Sequence, residues 1–318
     1  MKKKIIIISG DPNSINSEII YKSWKKISSP IKKKLVVISN YRLLKDQFKK
    51  LNFKINLSKI KNISDNSYDN SLKILDVKLK YKDPFNVSKK SASKFVIKSL
   101  NLAHSLALNK KTAGIINCPI SKNLLNRKIG VTEYLASKCG IKDRSEVMII
   151  KNKKLMISPI TTHLDIKLVP NKIDKNLIFK KIKIINDWYK KKYKKKPKIT
   201  ITGLNPHNAE LRKNSEEFKI IIPAINKLKN KHIRIDGPVA ADTVFINDYK
   251  KYDVIIGIYH DQILAPFKAL FKFDAINLTL GLKYIRVSPD HGVAKNLIMK
   301  KKSNHLSLMN CLNYIHKT

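Results

Sequence analysis

The sequence is poor in cysteine, glycine and arginine, and each shortage excludes something. Its three cysteines, Cys118, Cys139 and Cys311, are odd in number and widely spaced. They offer neither a disulfide framework nor a paired zinc-ligand spacing, and they point to a reduced, cytoplasmic protein. Only nine glycines occur in 318 residues. They form no Gly-X-Gly-X-X-Gly fingerprint, no P-loop and no Gly-X-Ser-X-Gly elbow, so a standard Rossmann phosphate loop is not supported. Long apolar runs are missing too. The longest, such as Ile5–Ile8 and Val254–Ile258, fall far short of the roughly 20 residues a membrane span needs. The charged start leads straight into an apolar run that ends at Gly10-Asp11-Pro12, which reads as a first strand and not as a signal peptide.

Acidic residues are also scarce. There are 23 Asp+Glu against 66 Lys+Arg, a formal net charge of +43. Such a balance is the usual electrostatic footprint of a nucleic-acid binder, but its texture argues otherwise. Only six of the basic residues are arginines (Arg42, Arg127, Arg144, Arg212, Arg234 and Arg286), and arginine is the residue suited to bidentate phosphate and base contacts. The lysines are scattered, and no aromatic-interleaved basic motif accompanies them. They are read as compositional bias over solvated faces, with no specific nucleic-acid partner and no membrane. A nucleic-acid-binding module stays as the rival class.

What is present is a foldable chain, 43% hydrophobic, long enough for two ordinary domains or one large one. Short apolar strands alternate with longer amphipathic stretches, the pattern of an α/β protein. Strands are expected at Ile5–Ser9, Leu35–Ser39, Gly114–Cys118, Leu155–Thr161, Ile199–Gly203, Val254–Tyr259 and Ala275–Leu280. Several are near-continuous apolar runs, as strands covered on both faces require. Helices are expected over Ser91–Asn109, after the N-cap Asp174, and from Asn214, where Glu217 sits in a capping-box position and Pro223 should kink or end the helix. The polar stretch Ile60–Lys90 reads as a loop-rich excursion with one hairpin. No Gly/Ser linker marks a boundary, so a second domain would be interleaved with the first.

Eight histidines occur. His104, His232, His305 and His316 are read as structural or solvated. Three others share one context, each following an apolar run: His163 after Ile157–Thr162, His207 after Ile199–Pro206, and His260 after Val254–Tyr259. In an α/β protein the carboxyl ends of the strands form the ligand-binding edge. Three imidazoles there are either a divalent-metal site assembled in three dimensions or satisfied loop residues. Asp242 and Asp261 are candidate supporting or acid/base carboxylates, or turn residues. Among so few arginines, Arg286 stands out as a ligand for a phosphate or carboxylate. Lys122, in Asn117-Cys118-Pro119-Ile120-Ser121-Lys122, could meet an anion where a strand gives way to a helix.

Taken in order, these motifs resemble the 4-hydroxythreonine-4-phosphate dehydrogenase family of pyridoxal-phosphate biosynthesis. The matching segments are Gly10-Asp11-Pro12, Pro119-Ile120-Ser121-Lys122, Thr132-Glu133-Tyr134-Leu135-Ala136 and Thr161-Thr162-His163-Leu164. Gly203-Leu204-Asn205-Pro206-His207, Ala241-Asp242-Thr243-Val244-Phe245 and Tyr259-His260-Asp261-Gln262 follow. Asn277, Thr279-Leu280-Gly281-Leu282, Ile285-Arg286 and Asp290-His291-Gly292 complete the set over nearly the whole chain.

The resemblance implies a homodimer of two-domain α/β subunits with the isocitrate/isopropylmalate dehydrogenase-like fold. Residues 1–125 plus 281–318 would form the first domain, and 126–280 the second, which carries the metal histidines. It implies a divalent metal (Zn, Mg or Co) on His163, His207 and His260, one or more of them donated across the dimer interface. It implies substrate contacts at Val131, Thr132, Lys268, Asn277 and Arg286, a catalytic base at Lys122 or Asp242, and NAD or NADP bound near His291 and Gly292. The implied reaction is oxidation and decarboxylation of 4-phosphooxy-L-threonine to 3-amino-2-oxopropyl phosphate, in vitamin B6 biosynthesis. The chain departs from the family at Val131, where the family has histidine. It also departs after Pro12, after His207 and after Gly292, where the usual glycine-rich or polar stretches are replaced. The alternatives are a related dehydrogenase acting on 4-phosphothreonate or 4-phosphoerythronate, and a non-catalytic lysine-rich binding protein.

Overall fold

A computed structural model describes residues 3–65, 70–125, 130–141, 145–246 and 248–318. Arg127 and Arg144 lie outside the described residues. The β-branched runs become strands: β1 (Lys4–Ile8), β2 (Leu35–Ser39), β3 (Leu57–Ile60), β4 (Leu72–Asp76) and β5 (Thr112–Asn117). There follow β6 (Val147–Lys151), β7 (Met156–Thr161), β8 (Ile199–Thr202), β9 (Ile235–Val239), β10 (Val254–Tyr259), β11 (Ile276–Leu280) and β12 (Arg286–Pro289). Helices alternate with them, so the α/β class holds. The chain divides into two compact units, Met1–Cys139 with Leu282–Thr318, and Gly140–Gly281.

In the first unit the strand order is β3-β4-β2-β1-β5-β12, and every pairing is parallel. Ile5 to Ile8 of β1 are each at most 1% exposed, as a parallel strand covered on both faces must be. The helix Lys89–Leu108 lays Phe95, Val96, Leu100 and Ala103 onto Ile6, Ile8, Val36 and Ile38. Among the described residues of 60–90 no two-stranded hairpin forms, the one antiparallel pairing being the isolated bridge Asp83↔Asn86. Instead β3 and β4 pair in parallel from Leu57↔Leu72 to Ile60↔Leu75, because β2 offers β4 a parallel edge. The helix Val131–Lys138, expected in the second domain, belongs to this unit. Leu135 and Ala136 are buried, and the Tyr134 hydroxyl donates to Asn101 Oδ1 at 2.7 Å.

The second unit has the order β11-β6-β7-β10-β8-β9. Strand β6, unforeseen in the sequence, runs antiparallel to both of its neighbours, whereas β7, β10, β8 and β9 are mutually parallel. Ile157, Ile255, Ile263 and Phe267 centre one apolar cluster. Asp174 caps the helix Lys175–Tyr193, its Oδ1 accepting from the Asn176 and Leu177 amides at 2.7 and 2.9 Å. The helix expected from Asn214 differs in its start. A π-helical turn, Glu217–Ile221, leads into the helix Ile222–Lys229. Pro223 sits in that helix's first turn, where a missing N–H is tolerated, and does not end it. No helix among the described residues is long and apolar enough to cross a membrane.

Candidate active site

The second unit carries the three histidines of interest on the carboxyl side of three adjacent parallel strands, β7, β10 and β8. Register decides their spacing. Thr161, the last residue of β7, pairs with Tyr259, the last of β10, and the Thr161 hydroxyl donates to Ile258 O at 2.8 Å. His163 and His260 follow two residues and one residue later, and their ring centroids stand 5.9 Å apart. His260 Nδ1 lies 2.6 Å from Asp261 Oδ1, so Nε2 is the nitrogen left for a metal, the usual arrangement of a ligating histidine with a carboxylate behind it. Two neighbouring imidazoles of this kind fit a divalent cation as donors. His207 stays apart from the pair. Among the described residues no three His, Cys, Asp or Glu gather closely enough to hold a metal ion.

The loop that carries His207 is heavily anchored. Glu217, read from the sequence as a capping residue, reaches back to the loop as well as to its own amide, while Ser215 Oγ accepts from the Phe218 amide at 3.3 Å. The buried Glu217 carboxylate accepts from the amides of Leu204 and Asn205, both at 2.8 Å, and from the Asn205 side chain at 3.0 Å. Burial alone would raise its pKa. The Asn205 and Leu204 hydrogen bonds outweigh that and hold the carboxyl below its ordinary value. Gln262 ties the same loop to β10. Its amide donates to Gly203 O at 2.6 Å and accepts from Thr202 Oγ1 at 2.8 Å and Ile258 N at 2.7 Å. Sequence reasoning missed Glu217 and Gln262 in these roles. The position of Gln262 two residues after His260 was the available signal.

Beyond the anchors, His207 to Leu211 all take the left-handed conformation, with φ between 48° and 56°. None is glycine, and such residues cost about 1–2 kcal/mol each. Strain of this kind persists only where the surroundings impose it. The other expected residues of this unit are dispersed. Asp242 is exposed in the short helix Ala241–Val244, and Lys268 is half-buried on the helix His260–Phe271. Asn277, on β11, has its side-chain oxygen buried without a hydrogen-bond partner, an arrangement that calls for a ligand donor.

In the first unit Arg286 opens β12, 3% exposed. Its Nε donates to Asn117 Oδ1 at 2.6 Å and its Nη1 to Thr132 Oγ1 at 3.0 Å. Burial pushes its pKa down to about 10, against the opposing pull of Glu133. A cation held this way favours an anionic ligand. Thr132 and Arg286 are thus brought together. Val131 beside them packs against the apolar core. Lys122 is exposed at the start of the short helix Lys122–Leu124. Nearby, the Ser121 hydroxyl donates to the buried Asp11 carboxylate at 2.6 Å. Gly10, with φ +75°, lies where a Cβ would come within 2.6 Å of Pro119 O, so only glycine fits there. His291 Nδ1 sits 2.9 Å from Gly292 O, and Gly292 borders open space. Away from these groups, His104 Nδ1 lies 2.8 Å from the Tyr284 hydroxyl, and burial lowers its pKa.

The arrangement meets an independent comparison. The sequence profile of the family described as pyridoxal phosphate biosynthetic protein PdxA matches residues 31–315. The chain belongs to that family. A relative in Sulfurihydrogenibium sp. (strain YO3AOP1), a 4-hydroxythreonine-4-phosphate dehydrogenase, is 38% identical over 93% of this chain and 92% of its own. The crystal structure of 4-hydroxythreonine-4-phosphate dehydrogenase from Klebsiella pneumoniae superposes with a TM-score of 0.84 at 26% identity, covering 99% of both chains. Isocitrate dehydrogenase from Methylococcus capsulatus shares the fold alone, at 10% identity and a TM-score of 0.51 over 99% of this chain and 85% of that one. This PdxA-family chain therefore has the isocitrate dehydrogenase-like fold expected from its motifs.

Proposed function

We propose that the protein is a metal-dependent dehydrogenase that oxidises 4-phosphooxy-L-threonine with NAD or NADP. The product then loses carbon dioxide to leave 3-amino-2-oxopropyl phosphate, a step in pyridoxal-phosphate biosynthesis. The observation that carries the reading is the His163–His260 pair, 5.9 Å apart at the ends of adjacent parallel strands. It is supported by relatives of that name that align over nearly the whole chain. When bound, a divalent cation such as Zn, Mg or Co would supply Lewis acidity towards the substrate hydroxyl, and the dinucleotide would supply the hydride acceptor.

The chain's own residues have the remaining work. His163 and His260 would hold the cation with His207, and one or more of the three would come from a second copy in a homodimer. The exposed apolar side chains Ile166, Leu168 and Leu211, which follow His163 and His207 in the chain, support such an interface. Arg286, steadied by Asn117 and Thr132, and Lys268 would bind the phosphate. Asn277 would satisfy its buried oxygen with the substrate amine. Either Lys122 or Asp242, both exposed to approach, would take the hydroxyl proton. His291 and Gly292 would contact the adenosine end of the dinucleotide. The +43 charge would draw in both anions.

A second reading keeps the chemistry and changes the substrate to 4-phosphothreonate or 4-phosphoerythronate. Val131 makes it worth testing, because an apolar side chain packed on the core stands where the family has an imidazole that contacts substrate. The test follows NADH with purified protein, a divalent metal, NAD and each of the three substrates in parallel. Turnover of 4-phosphooxy-L-threonine is the expected result. Turnover of only the other two would change the substrate. No turnover with any, in folded protein that binds metal, would overturn the enzyme reading in favour of a non-catalytic binder.

A further inference from the structure

We propose that Glu217 is a positioning residue for His207, fixing the backbone of the loop from which the imidazole would reach a divalent cation. The inference rests on the reading of His207 as a metal ligand. The Glu217 side chain is fully buried, and among the described residues no lysine or arginine pairs with it, in a chain of 66 basic residues. Its compensation comes from the loop: the Leu204 and Asn205 amides and the Asn205 side-chain amide all converge on it. Glu216 takes a further hydrogen bond from Asn205 Nδ2 at 2.8 Å. Only Pro206, whose φ is set by its ring, separates this anchor from His207.

The rest of the loop explains why an anchor is needed. From His207 to Leu211 the backbone is left-handed without a single glycine. A run like this drifts back to an ordinary basin unless its ends are pinned. Asn208 Nδ2 pins one end by donating to Pro238 O at 3.1 Å. Glu217 reinforces that same end through Leu204 and Asn205, and the Arg212 amide and Nε, both donating to Ala209 O, hold the far end. At the start of the helix Ser215 Oγ serves the Phe218 amide, which leaves most of the carboxylate's acceptor capacity to the loop. The π-helical turn at 217–221, a feature often found at functional sites, accompanies this turning of the side chain towards the loop. Replacing the carboxylate by an amide keeps the size. It also sets an N–H2 group among three converging donors, so at least one loses its acceptor.

The experiment titrates metal-free, full-length protein with Co2+, read by its visible spectrum, for wild type, E217Q, H207A and the double variant. Hydrogen exchange of residues 204–211 is measured on the same metal-free samples. E217Q is expected to weaken Co2+ binding by about 10–100-fold, the range for residues behind a ligand, and to speed exchange in 204–211 while β10 stays protected. In the H207A background E217Q should change the affinity less than about twofold, because a positioning residue has nothing left to position. N205A, which removes only the side-chain part of the anchor, should show a smaller loss with the same non-additivity, and it carries the test if E217Q does not fold. Wild-type affinity in E217Q or N205A, or full additivity with H207A, would overturn the proposal. If H207A itself leaves Co2+ binding unchanged, the metal reading falls instead.

Discussion

The left-handed run at 207–211 invites a test in which the sign of the effect is decisive. Glu210 has φ 49° and is exposed, so replacing it removes no buried contact. In the left-handed basin an L side chain costs about 1–2 kcal/mol that glycine does not bear. Against this, glycine gains more freedom than alanine in the unfolded chain, a loss of roughly 0.5–1 kcal/mol. E210A keeps the side-chain penalty and serves as the reference. E210G should then be more stable than E210A by up to about 1.5 kcal/mol. Were residue 210 extended or right-handed, the same comparison would make E210G less stable by about 0.5–1 kcal/mol. For a unit of this size each kcal/mol corresponds to about 2–4 °C in Tm. Calorimetry and urea unfolding of the two variants measure it. E210G less stable than E210A by about 0.5–1 kcal/mol would refute the left-handed conformation and, with it, the need for an anchored loop.

Other expectations follow from side-chain hydrogen bonds. Burial would raise the Asp253 pKa, but hydrogen bonds from Tyr189, the Lys198 amide and Lys195 outweigh it and lower it. The folded value thus lies below the unfolded one, and the stability it contributes is present above about pH 4. That contribution is lost as pH falls through the folded pKa. D253N should therefore cost about 1–3 kcal/mol at neutral pH, and the gap to wild type should close in urea unfolding below pH 4. A gap that stays constant with pH would refute it. N117A strands the Arg286 Nε–H in a buried site and should cost about 1–3 kcal/mol in urea unfolding. It should also weaken protection by inorganic phosphate against thermal unfolding if Arg286 is the phosphate ligand.

The α/β character could be read in the chain because isoleucine-rich runs such as 5–8 and 254–258 have no soluble alternative to a doubly covered strand. Asp174 announced its helix, and the three histidines announced themselves by following such runs. Strand direction was hidden. Val147–Lys151 has the same apolar content whichever way it runs, and the tight turn at 152–155, where the Asn152 amide donates to Leu155 O at 3.1 Å, sets it antiparallel to β7. Strand β2 makes β4 parallel, where a hairpin was expected.

At the site, composition and order determined which residue types were available: scarce arginine made Arg286 conspicuous, and strand-end histidines suggested a metal. Tertiary structure decided how they combine. The register of β7 against β10 sets His163 beside His260. Burial beside Asn117 and Thr132 turns Arg286 into a fixed cation. Only Asn208 in Asn208-Ala209-Glu210-Leu211 tolerates a left-handed backbone readily, and nothing in Ala209, Glu210 or Leu211 signals one. The conformation is imposed by Glu217, Gln262 and Asn208, whose partners are distant in sequence. Local propensity is worth only tenths of a kcal/mol to about 1 kcal/mol per residue, and a set of buried hydrogen bonds overrides it.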